Sequence, residues 1–118
     1  FRGTARDDLR SFPSEVMREM GYELVLVQEG KDPSDWKPMK IVGPGVKEIR
    51  VSDADGIFRS LYVTNLGDKV FVLHCFQKKT QKTAQADIDL ASKRLGDLHR
   101  ELNGAKAKTP RQRKAKQT

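Results

Sequence analysis

Residues 46–78 read VKEIRVSDADGIFRSLYVTNLGDKVFVLHCFQK, and this stretch decides the fold. Apolar and polar side chains alternate here in three runs, which are separated by residues 53–56 (DADG) and by residues 67–68 (GD). Alternation with a period of two is typical of β-strands, and short breaks rich in Gly and Asp are typical of tight turns. The stretch therefore predicts a meander of three antiparallel strands.

The faces of these strands are mixed. Glu48 and Arg50 share one face of the first strand, whereas Lys47 lies on the other. In the second strand, Arg59 and Tyr62 lie on opposite faces. Successive side chains of a strand point to opposite sides of a sheet, so these assignments follow from odd and even numbering alone.

Helical patterns flank the meander on both sides in the sequence. Thr4 and Asp7 have the spacing of a capping box, which predicts a short helix through Leu9. Pro13 suits the first turn of a second helix, which we expect to end before Gly30. Its apolar residues recur at spacings of about one helical turn: Phe12, Val16, Met20, Leu24 and Val27.

A third helix is predicted after the meander. Thr83 can cap it, and it should continue to about Leu102. Its apolar side chains form a single seam: Ile88, Ala91, Leu95, Leu98 and Leu102. The order of helices and strands predicts an α+β domain, a small twisted antiparallel sheet with the helices on one face.

Residues 31–45 contain three of the five prolines and are predicted to form a long connection. We expect a short extended piece around residues 39–42. Trp36 should anchor the connection by packing, although an aromatic side chain in a basic loop can also stack on a base.

The 118 residues carry a net charge of +7, and most of it lies in one place. Residues 104–118 hold six basic residues and no acid, which leaves 17 basic and 16 acidic residues for residues 1–103. We predict a domain at 1–103 and a disordered basic tail at 104–118, which serves either as an arm for a polyanion or as a solubilising tail. Residues 69–83 also carry four lysines without an acid.

Several classes of protein and site do not fit the sequence. No apolar run approaches the ~20 residues that span a bilayer, and the single Cys75 suits a reducing cytoplasm. The chain has no Gly-rich phosphate loop, no catalytic triad pattern and no spacing typical of metal ligands. We therefore expect no cofactor and no metal.

Arg50 and Arg59 occupy strand positions where a purely structural sheet would carry Val, Ile or Thr, and the third strand ends in Lys78 and Lys79. Such cations on one sheet surface suit a phosphodiester, because guanidinium groups bind phosphate oxygens and stabilise the charge that develops on phosphorus. Alternatively, the arginines are solvent-facing residues that pair with nearby carboxylates. A lone His74 in an apolar strand is more often a hydrogen-bonded core residue than a catalyst.

Four segments together resemble a known family: FPSEVMREMGYEL (12–24), WKPMKIVGPGVKEIRV (36–51), FRSLYV (58–63) and VFVLHCFQKKTQKT (70–83). They are similar to the phage-derived HigB-like toxins of the RelE superfamily, over roughly residues 3–100. The resemblance implies a RelE-like fold, with the possibility of an extra N-terminal edge strand. It also implies the toxin of a type II toxin–antitoxin pair, a metal-independent endoribonuclease (mRNA interferase) that cuts mRNA on the ribosome and so inhibits translation.

The resemblance also implies roles for individual residues. It places Glu48 and Arg50 near the attacking 2′-hydroxyl, Arg59 at the scissile phosphate, and Lys79 as a further cation. Arg59→Ala is then expected to abolish cleavage and to leave the fold intact. RNA contacts are expected from Lys47, Lys78, Lys82, Tyr62 and His74.

The implied partners are mRNA, the ribosome and a cognate antitoxin, in this branch often a helix-turn-helix protein that alone contacts operator DNA. No membrane partner is expected. Three alternatives stay open at this point: a nucleic-acid-binding module without catalysis, a superfamily toxin that acts on gyrase, and an inactive descendant.

Overall fold

A computed structural model describes residues 1–54, 56–64, 66, 69–78 and 83–107. Within these ranges the chain forms three helices and four strands. In chain order they are α1 (Ala5–Arg10), α2 (Ser14–Gln28), β1 (Trp36–Pro38), β2 (Val46–Asp53), β3 (Gly56–Val63), β4 (Phe71–Lys78) and α3 (Gln85–Ala107).

The strands form one antiparallel sheet in the order β1-β2-β3-β4, so the predicted meander is confirmed. In its register Arg50 lies directly opposite Arg59, and Arg59 lies directly opposite Phe76. A bulge interrupts the pairing of β3 with β4 beside Leu61 and Tyr62. The predicted α+β class and the small antiparallel sheet agree with this architecture.

The fourth strand comes from the connection between α2 and β2, not from the N-terminus. Near the N-terminus, Arg2 donates one backbone hydrogen bond to the Val72 carbonyl at 2.8 Å, and residues 1–4 form no strand. The extended piece also lies at 36–38 and not at 39–42. Met39 and Val42 are buried in the cluster of side chains under α3, so their apolar character serves that contact.

Two hydrophobic clusters lie on the two faces of the sheet. One face packs against α1 and α2, through residues that include Met20, Ile49 and Tyr62. The other packs against α3, through residues that include Leu61 and Leu95. The helices therefore cover both faces, which corrects the expectation of one-sided packing. The mixed strand faces reflect this, because each face has to supply apolar side chains.

The apolar faces of the helices are as predicted, whereas several helix ends differ from the prediction. The seam residues of α2 are all buried, and α2 ends before Gly30 as predicted. The Thr4 hydroxyl donates to the Asp8 carboxylate at 3.0 Å and makes no capping bond to the backbone, so the predicted capping box is wrong. At the start of α3 the Ala84 carbonyl accepts the first helical bonds, which makes Ala84 and not Thr83 the cap.

α3 continues to Ala107, past the predicted end at about Leu102, so the first residues of the basic segment extend the helix. Residues 108–118 lie outside the described residues. Among those that are described, none of the helices is long and apolar enough to cross a bilayer.

Candidate nucleic-acid interface

Two arginines and one glutamate of β2 and β3 lie on the same face of the sheet. Glu48, Arg50 and Arg59 all lie on the side of the sheet that packs against α3. Odd and even numbering predicted that Glu48 and Arg50 share a face, and the register Arg50 opposite Arg59 adds Arg59 to it. We call this group, with Lys37 of β1, the cation cluster.

The core of the cation cluster is a buried ion pair. Arg59 donates from a terminal guanidinium nitrogen to Glu48 Oε1, and the two side chains are 4% and 0% exposed. Burying a charge costs several kcal/mol unless it is paired, so each of these groups depends on the other. Most of the positive charge of Arg59 is therefore balanced by a carboxylate inside the protein.

Arg50 is more accessible, with a side chain that is 31% exposed. Its Nε and one terminal nitrogen both donate to Asp35 Oδ1, at 3.2 Å and 2.7 Å. The Arg50 backbone N–H also donates to the Asp35 carbonyl at 3.0 Å. The guanidinium groups of Arg50 and Arg59 thus lie on one face, and each binds its own carboxylate.

Lys37 was missed by the sequence analysis. It lies on β1 directly opposite Glu48, its Nζ is 3.9 Å from Glu48 Oε1, and its side chain is 41% exposed. The signal that could have found it is the WKP segment, since a proline is tolerated in an edge strand and Lys is common there. Asp35 was missed as well, because residues 31–45 were interpreted as a connection without a strand at this position.

His74 lies on the same face, in the row of residues that crosses the sheet through Glu48 and Leu61. Its Nε2 is hydrogen-bonded to Asp87 Oδ1 at 2.7 Å, and its ring stacks on Phe76 with centroids 4.8 Å apart. Because an ionised carboxylate only accepts, the proton of this bond belongs to the ring. His74 therefore joins β4 to the first turn of α3, in agreement with its interpretation as a hydrogen-bonded core residue.

Three buried polar atoms in the described part of the chain have no hydrogen-bond partner, and all belong to this face: Glu48 Oε2, Arg59 Nε and His74 Nδ1. An unsatisfied buried polar atom costs about 1–3 kcal/mol, and such atoms are rare outside functional sites and hydrated interiors. Their concentration on one face distinguishes it from the rest of the molecule.

Two of the predicted RNA-binding residues lie elsewhere. Lys47 and Tyr62 are on the opposite face, where they line a cleft of about 280 Å³ together with Lys31, Asp32 and Lys69. Lys47 sits 4.8 Å above the Trp36 ring, which is half-buried. Tyr62 is almost fully buried; burial and the nearby Asp32 charge raise its pKa to about 12. Both residues therefore lie on the sheet face opposite Arg59, and their contacts with RNA stay a prediction.

The remaining predicted cations cannot be placed in the cluster. The backbone of Lys78 lies opposite Ile57 at the end of β4. Lys79 and Lys82 lie outside the described residues. Among the described residues, no group of three His, Cys, Asp or Glu side chains could hold a metal ion.

A comparison with protein families gives a match that spans most of the chain. The family model described as phage-derived protein Gp49-like (DUF891) matches residues 7–96. The chain belongs to this Gp49-like family. The family is toxin-like and associated with RelE-type proteins. The range matched to the Gp49-like model contains all four strands and the whole cation cluster. A search of curated proteins found no match.

Proposed function

We propose that this Gp49-like chain is the toxin of a type II toxin–antitoxin pair, close to the HigB-like branch, and that it cuts mRNA. The observation that carries the proposal is the cation cluster, where cations and one buried carboxylate share a single sheet face with unsatisfied polar atoms. The family supports the toxin part. We place its action in the cytoplasm, on ribosome-bound mRNA.

The reaction that suits such a cluster is transesterification within RNA. A base takes the proton of the 2′-hydroxyl, the oxygen attacks the adjacent phosphorus, and the bond to the 5′-oxygen breaks. The products are a 2′,3′-cyclic phosphate and a 5′-hydroxyl, and the leaving oxygen takes up a proton. Fixed cations next to the phosphate stabilise the charge on the phosphoryl oxygens in the transition state.

The geometry suggests how the roles are divided. Arg50 is exposed enough to contact a phosphate, whereas Arg59 is buried and holds the Glu48 carboxylate in place. By the same criterion Glu48, which is 0% exposed and already bound by Arg59, reaches no 2′-hydroxyl in this arrangement, so we assign it no role as the base. Arg59 then acts as a positioning residue and not as the phosphate contact that the family resemblance implied.

Arg50→Ala tests the proposal. We expect cleavage of ribosome-bound mRNA to fall about 10²-fold, the usual effect of removing one preorganised donor. Arg100→Ala is the matched control, because it removes the same charge from an exposed pair with Asp97 on α3. Primer extension on the recovered mRNA measures both. Intact mRNA with the parental protein, or equal cleavage by all three proteins, would contradict the proposal.

One observation favours a second function, RNA binding without catalysis. The charge of Arg59 is buried and paired with Glu48, so the cluster has fewer accessible cations than the sequence analysis predicted. In that case primer extension would show intact mRNA, and a binding titration would show an affinity for RNA that depends steeply on salt.

A cognate antitoxin is part of the proposal, as is operator binding through that antitoxin alone. The cheapest test is the neighbouring reading frame. We expect it to encode a helix-turn-helix protein that abolishes mRNA cleavage when it is mixed with the purified chain. A neighbour that leaves cleavage unchanged would contradict the pairing.

A further inference from the structure

The three described cations of the cluster differ in how firmly their charges are held. Arg59 is paired with Glu48 inside the protein, and Arg50 makes two hydrogen bonds to Asp35. Lys37 makes only a long contact of 3.9 Å with a carboxylate oxygen that already accepts from Arg59. Lys37 is also the most exposed of the three. Its ammonium group is therefore the cation most available to an external anion.

The charge balance points in the same direction. Lys37, Arg50 and Arg59 carry three positive charges, and the two carboxylates that bind them, Glu48 of the cluster and Asp35, carry two negative charges. One positive charge is left over. Coulomb attraction to an incoming anion is strongest where the cation is least compensated.

The backbone that carries Lys37 is fixed from two sides. β1 pairs with β2 through residues 36–38, with Lys37 facing Glu48. Just before β1, the buried Glu23 carboxylate accepts a hydrogen bond from the Ser34 N–H at 3.0 Å. The Asp35 carbonyl accepts from the Arg50 N–H. The base of the Lys37 side chain is thus held in register with the cluster, although the connection that contains it is long.

Lys37 and Arg50 are diagonal neighbours, since Lys37 lies opposite Glu48 and Arg50 follows Glu48 by two positions on the same face. Diagonal neighbours on antiparallel strands are about 7–8 Å apart, within reach of one another for long side chains. Two such cations can contact different oxygens of one phosphodiester.

We infer that Lys37 binds a phosphate of the RNA backbone together with Arg50, and that it is the principal phosphate contact of the described cluster. The inference rests on the proposed function for the identity of the anion. It adds a residue from β1, an element outside the meander, and assigns to it the direct contact that the family resemblance had assigned to Arg59.

Binding of a single-stranded RNA oligomer with 2′-O-methyl groups throughout tests the inference, because this probe cannot be cut. Lys37→Met removes the charge and keeps the side-chain length, and Lys37→Arg restores the charge. Lys40→Met is the matched control, an exposed lysine three residues away that loses the same charge. Affinity is measured from about 50 to 200 mM salt.

We expect Lys37→Met to weaken binding about five- to tenfold at 50 mM salt. The slope of log affinity against log salt should become shallower by about 0.7, the value for one phosphate contact on a single strand. Lys37→Arg should recover most of the affinity, and Lys40→Met should stay within about twofold of the parental protein. Equal effects of Lys37→Met and Lys40→Met would overturn the inference. A Lys37→Met protein that has a lower thermal stability but an unchanged slope of log affinity against log salt would also overturn the inference. Lys37 would then stabilise the buried Glu48 carboxylate and not bind phosphate.

Failure of the proposed function gives a different result. A parental protein that cuts no mRNA, but whose affinity for the methylated oligomer depends on Lys37, would refute the nuclease and support the phosphate contact. A parental protein that cuts mRNA, but whose affinity for the oligomer does not depend on Lys37, would support the nuclease and refute the phosphate contact.

Discussion

Glu48 and Arg59 are side chains whose charges are both removed from water, and this decides how variants of them will behave. Arg59→Ala leaves the Glu48 carboxylate buried without its partner. We expect the free energy of unfolding to fall by about 3–5 kcal/mol, the usual cost of breaking a buried pair from one side. Urea denaturation measures this, with Arg100→Ala as an exposed control that should change by less than about 1 kcal/mol.

Replacing both members of the pair separates charge from packing. Glu48→Leu combined with Arg59→Leu should be more stable than Arg59→Ala alone, because no uncompensated charge remains buried. An Arg59→Ala protein within about 1 kcal/mol of the parental protein would show that Glu48 is reached by water. The expectation that Arg59→Ala abolishes cleavage and leaves the fold intact therefore needs this stability measurement beside it.

Cys75 gives a prediction that depends on pH. Burial, which outweighs the opposing hydrogen bond with Ser60, raises the pKa of its thiol from 9.0 to about 11. Below pH 9 the thiol is neutral in both states. Between pH 9 and 11 the unfolded chain loses the proton and the folded chain keeps it, so stability falls as the pH rises.

The expected loss attributable to Cys75 is about 2 kcal/mol between pH 8 and pH 11. It is measured as the difference in unfolding free energy between the parental protein and Cys75→Ala at each pH, which removes the contribution of other groups such as Tyr62. A difference that is constant across this range would show that the thiol titrates normally.

At the scale of residues, the sequence predicted which side chains share a strand face, but not which of them are buried. Strand parity was enough to place Glu48 and Arg50 on one face of their strand, and the observed register adds Arg59 to that face. Parity gives no information on burial, which depends on where α3 crosses the sheet, so the pairing of Arg59 with Glu48 had to be observed. Lys47 and Tyr62 were assigned to RNA from the family resemblance alone, against their own parity.

At the scale of elements, the contact between α3 and the connection from β1 to β2 depends on a glycine. A Cβ on Gly43 would lie 2.4 Å from the Leu95 Cδ2 atom, and Leu95 is buried. The Ser92 hydroxyl donates to the Val42 carbonyl at 3.1 Å beside it. A larger residue at position 43 therefore requires the buried Leu95 side chain to shift.

Gly43→Ala should lower the free energy of unfolding by about 1–3 kcal/mol, the typical cost of overpacking a core. Gly21→Ala is the matched control, because nothing lies within 4 Å of its added Cβ in the interior of α2. It should stabilise the protein by about 0.5–1 kcal/mol through helix propensity. Thermal or urea unfolding of both variants checks the pair, and a neutral Gly43→Ala would contradict the close contact.

Long periodic elements were predictable, and the short edge strand was not. The seams of α2 and α3 repeat over several turns, and the three strands of the meander alternate over eight residues each, so local pattern was sufficient. β1 has three residues and one proline, and its pairing is set by the register with β2 and by the Glu23 contact with Ser34. The WKP segment is compatible with an edge strand but does not give this register, so Lys37 was missed with it.

At the scale of the whole molecule, charge is distributed unevenly. The net charge of +7 comes mainly from residues 104–118, whereas the cation cluster together with Asp35 carries a local excess of one. Affinity for a polyanion is thus expected to depend on both regions, and activity on a specific bond on the cation cluster. Total charge indicated an affinity for polyanions and gave no position for the cluster.

The helices on both faces also separate two surfaces. The cation cluster lies on the α3 side, and the lysine-lined cleft with Lys47 lies on the α2 side. RNA bound at the cation cluster would therefore leave the cleft on the α2 side uncovered.

The most direct test of the account is the chemistry of the cut RNA ends. Ribosome-bound mRNA treated with the parental protein is recovered, and the new 3′ and 5′ ends are identified by mass spectrometry. Attack by the 2′-hydroxyl predicts a 2′,3′-cyclic phosphate, or the monophosphate from its opening, and a 5′-hydroxyl. A 3′-hydroxyl with a 5′-phosphate would mean that water attacked the phosphorus, and it would contradict the mechanism assigned to the cation cluster.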